Sequence, residues 1–344
     1  MSTKRVLYWG LAAFIILLVI SGASLAKEPI VNLMIDLDSP DPTISPQNAA
    51  VFNSMNNLMG VIDSKGLNAT IYVSGDIASY QRLAVTSLGS MSNHELALNG
   101  ITKDEMLGHM TYAKQEALLK KAKDSIEAAY ICGTTPVNLV GFRPQSFSQN
   151  NDTFKILQNI GIQYDAGFQS GILYLPGHKK DTWPYPIENY SIYAVPISTY
   201  NISGEAIYLS DRYAKEDKAF SASKWYDLLA SKFDESAKNG EPVVVIFNNL
   251  ISGSGDYYGA YKDFIDYAIS RNARFVTTLE LVNTTMAKNA TGRLPAISGA
   301  KPSVCPTCGQ SNESKGSLAI GVTITHQANC TNCNKSSTKT AVTS

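Results

Sequence analysis

From Lys27 to about Met286, short apolar runs alternate with longer amphipathic stretches, and a chain patterned this way builds repeated strand and helix units around one sheet. The apolar runs are Pro29 to Ile35, Ala69 to Ser74, Glu95 to Asn99, Val137 to Phe142, Ile162 to Ala166, Pro242 to Phe247 and Arg274 to Thr277. Several are continuously apolar rather than apolar at every second position, which suits parallel strands covered on both faces. Tyr112 to Tyr130, Asn151 to Ile160, Ser223 to Asn239 and Tyr258 to Arg271 carry helical spacing. In the second of these, Ile156, Leu157 and Ile160 share a stripe with Phe154 at its edge, and Asp152 stands near the positive helix start. Roughly 260 residues of such units predict an α/β fold, a closed or nearly closed parallel (β/α) barrel rather than a small open sheet. In such barrels chemistry is built where strands end and loops begin.

The remaining segments set the context. Lys4 and Arg5 precede an apolar stretch from Val6 to Ile20 and small residues ending at Ser24-Leu25-Ala26, so residues 1–26 read as a signal peptide. If uncleaved, the segment is an N-terminal anchor and the chain's one expected membrane contact. The 29 basic and 29 acidic side chains cancel, which argues against nucleic acid or an anionic membrane surface as partner. Charged residues are 17% of the chain, with Ser, Thr, Asn and Tyr filling the shortfall, as suits a secreted or cell-surface protein. Nine Asn-x-Ser/Thr sequons, at Asn68, Asn151, Asn189, Asn201, Asn283, Asn289, Asn312, Asn329 and Asn334, fit a glycoprotein.

The barrel is expected over residues 27–290, a linker over 291–302 and a Cys-rich appendage over 303–344. In that appendage Cys305-x-x-Cys308 and Cys330-x-x-Cys333 are separated by 21 residues, the spacing of a zinc ribbon. Ile320, Val322 and Ile324 alternate between them as a strand would, so the reading is one structural zinc on four thiolates, with two disulfides as the alternative in an oxidising compartment. Cys132 is isolated and reads as a small core residue.

Four ordered segments resemble the polysaccharide deacetylase family, also called the NodB homology domain or carbohydrate esterase family 4. Met34-Ile35-Asp36-Leu37-Asp38-Ser39-Pro40 is similar to the family's opening Thr-Phe-Asp-Asp-Gly-Pro motif, and Ala69 to Gly75 to its second strand. His94-Glu95-Leu96-Ala97-Leu98-Asn99 matches a stretch that normally reads His-Glu-Ile-Gly-Asn-His, and Gly141-Phe142-Arg143-Pro144 matches the arginine motif. Downstream, Val244 to Asn249 takes the place of a strand normally ending in Leu-His, and Arg274 to Leu281 resembles the closing strand and helix. The resemblance covers roughly Pro29 to Val282 and implies a distorted barrel of the deacetylase type. It implies hydrolysis of N- or O-acetyl groups on glycan by a metal-bound water, with a carboxylate base, a carboxylate and two imidazole ligands, and a late imidazole acid.

The departures bear on that chemistry. Asp36 keeps the base position, but the ligand carboxylate's place is taken by Leu37; Asp38 lies one residue later, with the strand parity of Asp36. The ligand imidazoles are replaced by Asn99 and Lys103, and the acid by Asn248. An amide is a poor zinc donor, an ammonium has no lone pair, and neither amide exchanges a proton near neutral pH. Arg143, which steadies the base in the family, is retained, while Pro144-Gln145-Ser146-Phe147 departs from the usual Pro-Pro-Tyr-Gly. His94 has the wrong strand parity to rescue a metal, His109 and His178 read as surface residues, and the fourth histidine is His326.

No metal or cofactor is therefore expected in the barrel. Asp36, Asp38, Lys103 and Arg143 are instead read as a metal-free charge cluster, with Lys103 supplying the missing positive charge. Trp183, Tyr185, Tyr190, Tyr193, Tyr257 and Tyr258 are candidates for stacking on sugars, and Ile251-Ser252-Gly253-Ser254-Gly255 reads as a flexible loop without nucleophile-elbow spacing. The favoured reading is an exported, catalytically degenerate deacetylase-like protein that binds surface or cell-wall glycan. The alternatives are an active deacetylase using a hard cation on Asp38, Asn99 and Asn248, and a structural surface protein using the barrel as scaffold.

Overall fold

The computed structural model describes residues 28–41, 43, 45–89, 93–102, 104–130 and 138–291. The leader, Lys103, Cys132 and the four cysteines of the appendage lie outside the described residues. The interactions discussed below lie in the first compact unit, which ends at Thr285.

Strands β1 (Ile30–Leu37), β2 (Ala69–Val73), β3 (His94–Leu98), β4 (Gly141–Phe142) and β5 (Tyr164–Gln169) follow one another across the sheet. Helices α1 (Ser45–Ser64), α2 (Gly75–Tyr80), α3 (Arg82–Gly89), α4 (Tyr112–Tyr130) and α5 (Asn151–Asn159) connect them. An insertion follows, with β6 (Tyr185–Pro186), β7 (Tyr193–Ile197), β8 (Thr199–Ile202) and β9 (Glu205–Tyr208). The chain then runs through α6 (Ala222–Asn239), β10 (Pro242–Asn248), α7 (Asn249–Ser252), α8 (Gly255–Ser270), β11 (Arg274–Val276) and α9 (Thr278–Thr291).

The nine-stranded sheet has the order β10-β1-β2-β3-β4-β5-β7-β6, with β11 also paired to β1; every pairing is parallel except β6 with β7. β1 is its axis: β11 joins its first half, β2 its second half, and β10 runs along its length. The sheet curls until β10 meets the segments leaving β7 and β9. There the Ser198 N–H donates to Val244 O (3.0 Å), the Val244 N–H to Ser198 Oγ (2.9 Å) and the Ile246 N–H to Leu209 O (2.9 Å). This is the parallel (β/α) barrel expected from the alternation, and all seven apolar runs supply strands, the fourth shortened to Gly141–Phe142.

β2 and β10 are buried at every residue, which explains their unbroken apolar patterns. Within β10, Phe247 meets Tyr261 of α8 edge-on at 4.9 Å and Trp225 of α6 at 6.3 Å. α6 begins on Ser221, whose hydroxyl accepts the Lys224 N–H, and ends on Gly240 in the left-handed region. α1 was not anticipated: its Asn- and Ser-rich sequence has weak helix propensity, and packing of Val51, Met55, Leu58, Met59 and Ile62 at helical spacing overrides it.

The stretch Ile251 to Gly255 is not the expected flexible loop. α7 buries Ile251 and Ser252, and Gly253 lies against α1, where a Cβ would sit 2.6 Å from Ser54 Cβ and 2.2 Å from Asn249 O.

At the start of the strands a polar layer spans the barrel. Glu95 accepts from the Tyr164 hydroxyl (2.8 Å), the Thr70 hydroxyl (3.1 Å) and the Leu279 N–H (2.9 Å), while the Thr278 N–H donates to Thr70 Oγ1 (2.7 Å). Tyr164 reaches Glu95 because residue 141 is glycine: a Cβ there would lie 2.0 Å from the Tyr164 hydroxyl. Gly141→Ala is therefore expected to displace that ring and break its bond to Glu95. The loss should be about 3 kcal/mol or more of unfolding free energy, from overpacking and the broken charge-assisted bond together, read as a lower urea midpoint.

Candidate functional site

The alternation of side chains along parallel strands sets which residues reach the barrel mouth. Asp36 is in register with Asn248 of β10 on one side and Tyr72 of β2 on the other. Asn99 follows β3 directly, its N–H bonded to Val73 O, and Arg143 follows β4, its N–H bonded to Leu98 O, both at 2.9 Å. Asp36, Asn99, Arg143 and Asn248 thus lie at the same end of neighbouring strands, where the sequence places the chemistry.

Arg143 Nη2 pairs with Asp36 Oδ2, and the guanidinium lies 5.4 Å from the centre of the Tyr72 ring. Burial pushes the Asp36 carboxyl above the usual range; Arg143 and Arg212 oppose that rise, and the neighbouring Asp38 charge adds to it. Asp36 Oδ1 and Arg143 Nε are buried without hydrogen-bond partners. Oriented to satisfy its neighbours, the Asn99 amide donates to the Arg143 carbonyl (2.8 Å) and accepts from Gln145 Nε2 (3.1 Å) and Arg143 Nη2 (3.3 Å). Asn99 therefore braces the arginine.

Asp38 joins the site, but its cation comes from an unforeseen direction. Arg212 Nη2 lies 2.6 Å from Asp38 Oδ2, and Asn248 Nδ2 donates to the same oxygen at 2.7 Å. The Asp38 backbone is clamped by Asn249, whose Oδ1 accepts from the Asp38 N–H (2.8 Å) and whose Nδ2 donates to the Asp38 carbonyl (3.1 Å). The Asp38 side chain is 3% exposed. Of the expected charge cluster, Asp36 pairs with Arg143, Asp38 pairs with Arg212, a cation absent from the sequence reading, and Lys103 falls outside the described residues.

Arg212 is delivered by the β8–β9 hairpin. Its two-residue turn, Ser203-Gly204, has positive φ at both residues (53° and 91°), matching the strand twist in the manner of a type I′ turn. Asn201 Oδ1 accepts the Gly204 N–H (2.8 Å) and fixes the turn. Beyond β9, Asp211 anchors the segment by accepting from the Asn248 N–H (2.8 Å), the Ser252 hydroxyl and the Arg212 N–H (both 2.6 Å). Burial outweighs these bonds and pushes Asp211 up to about 7. Sequence reasoning missed Asp211 and Arg212; the available signal was the Ser-Gly turn between two short β-forming runs.

The residues present do not fit the family's metal. Asn248 Oδ1 already accepts the Leu250 N–H (2.9 Å) as the cap of α7, Asn99 Oδ1 already faces two donors, and a guanidinium occupies Asp38. The hard-cation alternative on Asp38, Asn99 and Asn248 meets the same obstacle at Asp38 Oδ2 and at both amide oxygens. Among the described residues no group of three or more His, Cys, Asp or Glu side chains is placed to hold a metal ion.

The described histidines lie elsewhere. His94, at the far end of β3, bonds Asp63 Oδ1 through Nε2 (2.7 Å); His109 is exposed; His178 bonds Asp181 (2.7 Å) and stacks on Tyr185 at 4.0 Å. The aromatic candidates pack against the core: Tyr185 and Tyr257 are buried, and Trp183, Tyr190, Tyr193 and Tyr258 rest on it. A different set lies near the mouth. Phe147 meets Tyr208 edge-on at 5.4 Å, and Tyr208 stacks on Tyr213 at 4.1 Å. Ser146 and Phe147 both have positive φ (52° and 55°), a costly conformation for side-chain-bearing residues, which this packing holds.

A curled parallel barrel with its polar residues gathered at the strand ends is the fold of the polysaccharide deacetylases. A putative polysaccharide deacetylase from Mycobacterium smegmatis matches over 81% of this chain and 96% of its own, at 17% identity and a TM-score of 0.58. A probable polysaccharide deacetylase from Pseudomonas aeruginosa PAO1 matches over 76% and 92%, at 11% identity and 0.60. The Puue allantoinase matches over 76% and 91%, at 12% identity and 0.60. No family model and no curated protein matches the sequence.

Asp165, in β5, adds a fully buried titratable group, in register with Phe142 and so on the face opposite to Tyr164. One carboxylate oxygen accepts the Gly167 N–H (2.8 Å), the other has no partner, and burial pushes the carboxyl up to about 8. A folded-state value above the unfolded one, near 3.8, means that the stabilising proton is lost as pH rises between the two. Asp165→Asn is expected to gain on the parent chain from pH 5 to pH 8, its melting-temperature difference widening by about 5 °C, and to show little difference below pH 4.

Proposed function

We propose that this is an exported, hydrolytically silent relative of the deacetylases that binds acetylated surface or cell-wall glycan at its barrel mouth. The carrying observation is the Asp38 carboxylate, held by Arg212 and Asn248 where metal-assisted hydrolysis needs an open ligand. Asn248 caps a helix and supports Asp38, so the position that the family gives to a general acid has no proton to deliver.

Binding is assigned to Phe147, Tyr208 and Tyr213. Their rings are half-buried, and Tyr208 is close enough to the cluster that Arg143 and Arg212 both oppose the burial-driven rise of its pKa. Half-buried rings beside a hydrogen-bonding rim suit the apolar face and polar edge of a sugar. The leader supports export, and the exposed Asn189, in a turn, and Asn201, in β8, have room for N-glycans; at Asn68, by contrast, the amide faces Glu280 and Thr70 of the sequon is wholly buried. The four thiolates of the appendage are proposed to hold one structural zinc.

The test incubates the purified chain with acetylated chito-oligosaccharides, with and without divalent metal, and measures acetate release and glycan retention together. Retention without release is expected, with Tyr208→Ala weakening retention roughly tenfold through loss of one stacking surface. Metal-dependent acetate release would overturn the reading.

A further inference from the structure

We propose that Arg212 is the resident cation of the barrel mouth, balancing Asp38 where the deacetylase fold elsewhere uses a metal, and that it thereby bars divalent ions from the site. The inference deepens the proposed function and rests on reading the mouth as hydrolytically silent. Its test reads metal occupancy and stability, so it fails or stands independently of glycan retention.

Two carboxylates of one strand end are buried together, and each needs a nearby positive charge. Arg143 serves Asp36 and is braced by Asn99. Arg212 serves Asp38 with its Nη2, while its Nε faces Glu216 Oε2 at 3.8 Å. Its backbone is fixed by Asp211, which also holds the Asn248 N–H and the Ser252 hydroxyl. The guanidinium therefore arrives on a rigid segment tied to β10 and α7. Because arginine keeps its proton at every physiological pH, the cation cannot be neutralised to make room for a metal, as a histidine could be.

The experiment titrates manganese(II), an ion that prefers oxygen ligands over the appendage thiolates, into the full chain. It follows both the paramagnetic resonance signal of the free ion and the melting temperature. The parent chain is expected to show no response that Asp38→Asn abolishes. Arg212→Ala should melt lower without metal and gain about 3 °C or more at ~1 mM manganese. Asp38→Asn in that background should remove the metal response and recover part of the lost stability, and Arg212→Lys should remain unresponsive.

A manganese response in the parent chain that Asp38→Asn abolishes would overturn the proposal. So would an Arg212→Ala chain that melts like the parent and ignores the ion. If Arg212→Ala does not fold, the double variant decides: a folded Arg212→Ala/Asp38→Asn chain supports charge balance, and an unfolded one refutes it.

Discussion

Two carboxylates at the end of β1 cannot be buried without positive charge, and much of the barrel mouth is arranged to supply it. Asp36 draws Arg143 from the end of β4, and Asp38 draws Arg212 from beyond the β8–β9 hairpin. Asn248 and Asn249, side by side at the end of β10, hold the Asp38 side chain and backbone respectively. Each of these groups also closes a separate structural bond, so the network links β1, β4, β10, α7 and the insertion. Asp38 Oδ2 and the oxygens of Asn99 and Asn248 are each engaged by donors of the same chain, which leaves Asp36 Oδ1 and Arg143 Nε as the unpartnered polar atoms of the cluster.

The opposite end of the barrel solves a similar problem without cations. Glu95 takes three hydrogen bonds from Tyr164, Thr70 and the start of α9, and burial raises its pKa despite them. This arrangement stitches the strand starts together and leaves the mouth as the end where charge is concentrated. The likeness to both deacetylases and an allantoinase places the fold, while the meaning of the site lies in its own side chains.

Much of this was legible in the chain itself. Unbroken apolar runs identified the parallel strands, and Asp36, Asn99, Arg143 and Asn248 stand at the ends of the first, third, fourth and sixth of them, where the resemblance to the deacetylase motifs pointed. α1 was hidden because its buried Val51, Met55, Leu58 and Ile62 are interleaved with Asn and Ser, residues that compete for backbone hydrogen bonds. The hairpin was hidden because its turn uses Ser-Gly, a weaker signal than Asn-Gly, and because β8 and β9 are each four residues long. Tyr208 was overlooked for the same reason, since it comes to the mouth on that hairpin.

The sequence by itself determined the barrel, the strand ends that meet at its mouth and the residue types Asn99 and Asn248 at two of those ends, because backbone periodicity and residue type are local properties. Tertiary structure decided which cation meets which carboxylate. Arg212 and Asp38 are 174 residues apart, and an ion pair depends on a distance in space of a few ångströms that no local pattern encodes.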